Sequence, residues 1–207
     1  MLNNKIILVG YSGHGLVVVE SIIESGMEIY AYMDLEEKQF NPHKIQYLGN
    51  EEDLIDEFWK TPYKFVLGIG DNFLRSKIAE KIEAKGGEII SVIHPKAIVS
   101  NTSKIEAGTF ISVNSTINCF VEIGMHCVIN TGSIIEHECI IGDNVHIAPG
   151  AVLAGNVCIG KNSFIGANAV IKQGVRIDDN VIVGAGTVVL NDVKKNKVIV
   201  GNPGREI

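Results

Sequence analysis

The sequence predicts an α/β N-terminal domain, a small Rossmann-like parallel sheet, followed by a parallel β-helix. Three observations carry this reading. An unbroken six-residue repeat fills the second half of the chain. Apolar strands alternate with helical segments over the first half. Two glycine-rich turns, around Gly10 and Gly68, each directly follow a predicted strand.

The repeat is counted from Val99. Steps of six land on Ile105, Ile111, Ile117, Ile123, Ile129, Ile135, Ile141, Ile147, Leu153, Ile159, Ile165, Ile171, Ile177, Val183 and Val189, sixteen aliphatic anchors in one register. Two residues before an anchor the side chain is mostly small, as at Ser103, Thr109, Ser115, Cys127, Ser133, Cys139 and Ala151. Glycine or alanine often follows the anchor, as at Gly124, Gly142 and Ala148.

Neither the 3.6-residue period of a helix nor the two-residue period of a strand gives such a pattern. A coil with three equal sides does, because each hexad supplies one short strand and one corner. Three hexads make a coil of 18 residues, and coils stack at the ~4.8 Å strand spacing. After Val189 the next step meets Lys195, so the repeat is predicted to end near residue 190, with the tail closing it. Cys127 and Cys139 fall on the small inward position and read as packing residues.

Before the repeat, Lys5 to Val9 reads as a buried strand, and Gly10-Tyr11-Ser12-Gly13-His14-Gly15 as a turn into a helix running to about Ser25. Ile29 to Met33 is a second strand, ending at Asp34. Tyr63 to Leu67 is another, followed by Gly68-Ile69-Gly70-Asp71-Asn72 and a helix with Leu74, Ile78 and Ile82 on one face. The expected division is residues 1–92 for this domain and 93–207 for the β-helix with its tail. The glycines of the first turn serve a tight βα connection on the plainest reading. They also let a ligand approach the backbone at a helix N-terminus, where free N–H groups favour phosphate. Asp34, beside that turn, suits ribose hydroxyls or a base N–H.

With 18 basic against 24 acidic residues and a net charge of −6, the chain lacks the basic footprint of a nucleic-acid binder. No apolar run approaches the ~20 residues that span a bilayer, so membrane insertion is not expected. The four cysteines form no CxxC pair and no signal-peptide pattern opens the chain, which makes the cytoplasm the expected compartment.

His137 is two residues after the anchor Ile135 and therefore points outward, flanked by Glu136 and Glu138. Imidazole, with a reference pKa near about 6.5, is largely neutral at pH 7 and able to take a proton from an acceptor. A carboxylate on its other nitrogen would raise its basicity, and either glutamate is a candidate. Neighbours on a strand face opposite ways, so Glu138 reaches the ring only if a corner intervenes. The plainer readings are a surface histidine and solvated charges. His126, His137 and His146 stand eleven and nine residues apart, not the eighteen that would stack two on one face, so no metal site is expected. A backbone N–H near Gly155 is the expected donor to a tetrahedral oxyanion.

Residues 97–204, closed by Gly201-Asn202-Pro203-Gly204, resemble the hexapeptide-repeat acyltransferases with a left-handed β-helix. That resemblance implies a homotrimer with acyl-coenzyme A in the groove between neighbouring prisms. Taken with the GYSGHG turn, Asp34, the GIGDN turn and Ile93-His94-Pro95, nearly the whole chain is similar to the PglD-like and NeuD-like sugar acetyltransferases. The resemblance implies acetyl-CoA as co-substrate and a nucleotide sugar as acceptor. A uridine diphosphate carrying a 4-amino-4,6-dideoxy sugar would be held by Ser12, Gly13, His14, Asp34 and Gly70. It makes His137 the base and Glu138 its partner, and puts His146 and the backbone of Ala167 and Ala185 against acetyl-CoA. Leu35 departs from PglD-like members that carry a second acidic residue there. Two rivals remain at this level, a sialic-acid-type O-acetyltransferase and a non-catalytic sugar-binding or scaffold solenoid.

Overall fold

A computed structural model describes residues 5–50, 52 and 54–207. The N-terminal part is a five-stranded parallel sheet built from β1 (Lys5–Val9), β2 (Glu28–Met33), β3 (Gln46–Tyr47), β4 (Lys64–Leu67) and β5 (Glu88–Ile89), in the order β3-β2-β1-β4-β5. Three helices connect them: α1 (Gly13–Glu24), α2 (Asp56–Trp59) and α3 (Asn72–Ala84). The chain reverses its direction of travel across the sheet at β1, and α/β sheets open a ligand crevice beside such a switch point. The short elements β3, α2 and β5 have no counterpart in the sequence pattern, being two to four residues long. One face of α3 differs from expectation: Leu74 is exposed, and the buried residues are Arg75, Ile78, Ala79 and Ile82.

From Val92–Ile93 to Val188–Val189 a two-residue strand recurs every six residues, and each as far as Val170–Ile171 pairs in parallel with the strand eighteen residues on. The strands form three sheets, which are the faces of a triangular prism. The first face begins Val92–Ile93, Phe110–Ile111, Val128–Ile129 and His146–Ile147. The second begins Ile98–Val99, Thr116–Ile117 and Ile134–Ile135, and the third Lys104–Ile105, Glu122–Ile123 and Ile140–Ile141. The prism starts one hexad before the first counted anchor. It also extends past residue 190: after an irregular turn Val198–Val200 joins the first face, and Arg205–Glu206 folds back on it antiparallel.

The anchors from Ile111 to Val189 fill the prism, where Cys127 and Cys139 are fully enclosed as packing residues. Burial raises their thiols to about 12 and about 11. The small inward position does more than avoid collision. Thr109, Ser115, Cys127, Cys139 and Ser163 each donate to the carbonyl fifteen residues on, tying each corner to the next.

The corners carry a second period. Every sixth residue from Gly108 to Gly186 has a positive φ, and most of these are glycine or asparagine, which tolerate the left-handed region. The N-terminal domain packs on the first face, where Val92, Phe110 and Val128 share a core with Tyr11, Val18, Val19 and Ile22.

Candidate active site

A cavity of about 380 Å³ opens at the C-terminal ends of β1, β2 and β4. Ser12, Asp34 and Gly70 line it as expected, together with Lys38, Asp71 and an apolar wall that includes Leu74. Two glycines near it are structural. A Cβ on Gly15 would come within 2.3 Å of the Gly10 carbonyl oxygen, and one on Gly68 within 2.2 Å of the same atom, so the two turns can meet only without side chains. Gly13 is different: nothing lies within 4 Å of a Cβ placed there, and its backbone faces open space at the start of α1.

The Asp34 carboxylate accepts from the Tyr11 N–H at 2.8 Å and forms an ion pair with Lys38 Nζ at 3.0 Å. That pairing raises the Lys38 pKa above the usual lysine value. Lys38 escaped the sequence reading, although an Asp and a Lys four apart just beyond a strand end was the available signal.

His14 does not line the cavity. Its ring meets Phe110 edge-on at 5.5 Å and lies 6.1 Å from His146, between the two domains. Its Nε2 is enclosed without a partner among the described residues, and burial, aided by His146 and Arg75, pulls its pKa down to about 4.

His146 lies on the first face, beneath the N-terminal domain, and is 8% exposed. The side on which His146 was expected to meet acetyl-CoA is covered here by the chain's own domain. The Gly70 carbonyl sits 3.0 Å from its Nδ1 and can only accept, so Nδ1 carries the proton and Nε2 accepts from Asn130 Nδ2 at 3.2 Å. Burial lowers this imidazole, too, to about 4.

Arg75 holds this arrangement. At 1% exposure, its guanidinium donates to the carbonyls of Ile69, Gly70, His126 and Asn144 and to the Asn72 side chain, with burial pulling its pKa down to about 10. The cavity's Gly68–Asp71 turn is thereby pinned to two corners of the prism. The sequence signal was its spacing of three and seven from Ile78 and Ile82.

His137 stands at the corner between the second and third faces, 45% exposed at its side chain. Its Nδ1 is 3.0 Å from Glu138 Oε2. Glu138 has φ +60°, so the corner turns its side chain back toward the ring, the condition the sequence had set. Glu136 makes no such contact. One coil further, a Cβ on Gly155 would fall 2.4 Å from His137 Cε1 and 2.5 Å from Nε2. The imidazole therefore rests on a glycine, and the Gly155 N–H donates to no acceptor among the described residues.

Ala167 and Ala185 stack at the opposite edge of the second face, where the Ala167 carbonyl already accepts from Gly186 N at 2.8 Å. His126 is buried and ion-paired with Glu83 at 3.1 Å, apart from His137, and no group of metal-ligand type forms among the described residues. A larger groove of about 440 Å³ crosses the third face past Cys158 and Arg176, and His137 does not line it.

The crevice and His137 are thus on opposite sides of the prism. The first face carries the N-terminal domain, and the corner of His137 is the one that face does not touch.

Residues 5–82 match the model of the PglD N-terminal domain. Residues 120–155 match the bacterial transferase hexapeptide (six repeats), and 156–191 the hexapeptide repeat of succinyl-transferase. A UDP-N-acetylbacillosamine N-acetyltransferase of Bacillus subtilis is 33% identical over 109 residues, which span 52% of this chain and half (50%) of that relative's length. A variant of perosamine N-acetyltransferase from Caulobacter crescentus, solved with CoA and GDP-perosamine, superposes with a TM-score of 0.94 at 30% identity, covering 98% of this chain and 96% of that one. The acetyltransferase domain of PglB from Neisseria gonorrhoeae, solved with acetyl coenzyme A, gives 0.91 at 28% identity, covering 99% and 100%.

Proposed function

Since this chain belongs to the PglD-like family of hexapeptide-repeat, left-handed β-helix sugar N-acetyltransferases, we propose that it transfers the acetyl group of acetyl-CoA directly to the amine of a nucleotide-linked 4-amino-4,6-dideoxy sugar, with UDP as the nucleotide. The observation that carries this reading is the His137–Glu138 pair resting on Gly155. The carboxylate holds the proton on Nδ1, leaving Nε2 with a free lone pair at the prism edge.

The chemistry follows from those atoms. The amine arrives as an ammonium and gives one proton to His137 Nε2. Its lone pair attacks the thioester carbonyl carbon, and the developing oxyanion meets the unpaired Gly155 N–H. Collapse breaks the C–S bond, the imidazolium returns its proton to the leaving sulfur, and the surplus proton left on the new amide nitrogen goes to solvent. Ala167 and Ala185, small and at one edge, leave room for the pantetheine arm, while His146, covered by the N-terminal domain with its Nε2 bonded to Asn130, is not placed at the donor.

Residues 1–92 hold the nucleotide sugar and 93–207 the acyl donor. Ser12, Gly13, Asp34 and Gly70 bind the nucleotide in the crevice, and His14 closes the sugar end toward the prism. A crevice on the far side of the prism from its own His137 supports a homotrimer, in which one chain presents the sugar to a neighbour's histidine. The outward residues of the second face support the same assembly: Ile98, Thr116, Ile134, Val152, Val170 and Val188 carry no charge, while the third face shows Lys104, Glu122 and Arg176. Four free thiols and an acetyl-CoA donor suit a cytoplasmic enzyme, and no helix among the described residues is long and apolar enough to cross a membrane.

The test is release of CoA thiol with three acceptors, UDP-linked and GDP-linked 4-amino-4,6-dideoxy sugars and free sialic acid, and in a blank without acceptor. Turnover with the UDP-linked amine alone is expected. Faster turnover with the GDP sugar would correct the nucleotide, and turnover with sialic acid only would overturn the amine.

A further inference from the structure

The fourteen left-handed corners from Gly108 to Gly186 are glycine or asparagine except at Phe120, His126 and Glu138. A side chain other than these two is strained in that conformation, and such strain persists where something else depends on it. His126 has its reason: its carbonyl accepts from Arg75, its ring fills the space over Gly108 and pairs with Glu83. Glu138 has its reason in His137.

Phe120 has none within the chain. Its φ is +60°, its backbone N–H donates to Thr102, and the residue is 63% exposed. It occupies the corner one coil before Glu138, and the Glu138 N–H donates to the carbonyl of Cys119 at 3.1 Å, so the two corners are stacked.

Direction along the prism says what this ring meets. The His137 imidazole leans toward the C-terminal coils, onto Gly155, and Ala167 and Ala185 continue that way. The donor thus fills the C-terminal side of the ring. The acceptor has to come from the N-terminal side, where the next coil presents Phe120.

Resting on the acetyltransferase reading above, we infer that Phe120 is the apolar floor of the acceptor lane and selects a sugar bearing a methyl group, over a hydroxymethyl, at its C5 position. An exposed aromatic face gains by covering a methyl and leaves a hydroxymethyl to shed water without a hydrogen-bond partner.

Wild type and Phe120→Asn are compared with a nucleotide-linked 4-amino-4,6-dideoxy sugar and its 6-hydroxy counterpart, with Tm and sedimentation measured alongside. The variant is expected to raise KM for the dideoxy sugar about tenfold with kcat little changed, and to lose most of the preference between the two sugars. Its Tm is expected to rise by about 2 to 4 °C, because asparagine accepts the left-handed corner. Opposite signs for binding and stability separate a substrate contact from a packing role. Unchanged KM and preference in an active enzyme would overturn the assignment of Phe120 alone. A variant that dissociates into smaller oligomers would overturn it too, moving Phe120 to a subunit contact. A wild type that acetylates neither sugar would remove the acetyltransferase reading itself.

Discussion

His137 Nδ1 and Glu138 Oε2 are 3.0 Å apart although the residues are adjacent in sequence, because the backbone turns left-handed at Glu138. In an extended strand the two side chains would diverge. Glu138→Gly keeps the corner and removes the carboxylate. It should lower kcat about tenfold or more, since general-base assistance is worth roughly 10²- to 10⁴-fold and an unoriented imidazole keeps only part of it. Tm should stay level or rise. Steady-state kinetics with calorimetry would decide, and full kcat in the variant would reassign the partner.

Gly155→Ala tests the floor under the proposed base, His137. A methyl 2.4 Å from the His137 ring forces the imidazole outward, and a misplacement near 1 Å can lower turnover about a hundredfold. The folded prism should survive, because the displaced ring is at the surface. A crystal structure of the variant with unmoved His137 and retained turnover would contradict this account.

His14 and His146 predict a particular acid sensitivity. Both are held down to about 4 by burial, below the unfolded value of about 6.5. Between these values the unfolded chain binds protons that the folded one refuses, so their contribution is complete above pH 6.5 and is lost as pH falls toward 4. The full loss is about 3 kcal/mol for each. Tm measured from pH 8 to 4 should be level at first and then drop below pH 6.5. His146→Asn should flatten the drop, and a level profile in the wild type would refute the burial argument.

The prism was legible in the sequence because a period of six leaves an anchor that can be counted. Its corners were less so. The Asn and Gly at every sixth place, from Gly108 through Asn114 to Gly186, repeat as regularly as the anchors, but they attract attention only once a positive φ is seen to require them. The site divided in the same way. His137 could be found by its outward register, and Glu138 needed the corner. Arg75 was passed over despite its place on the buried stripe of its helix, because a buried cation is normally betrayed by a carboxylate, and this one is satisfied by backbone oxygens from both domains. His146 was expected against acetyl-CoA, and the repeat gives its face but says nothing of what packs on that face.

An uninterrupted register also sets how such a chain can change length. Insertion or loss of one coil leaves every later side chain on its own face and moves it along the axis by ~4.8 Å. Any other number of residues rotates the remainder of the prism by a third of a turn or breaks it. The separation between His137 and the alanines beyond it is therefore adjustable only in whole steps, and accommodation to a longer acyl donor would have to come from replacing corner residues such as Gly155 and Ala167 while the coil count stays fixed.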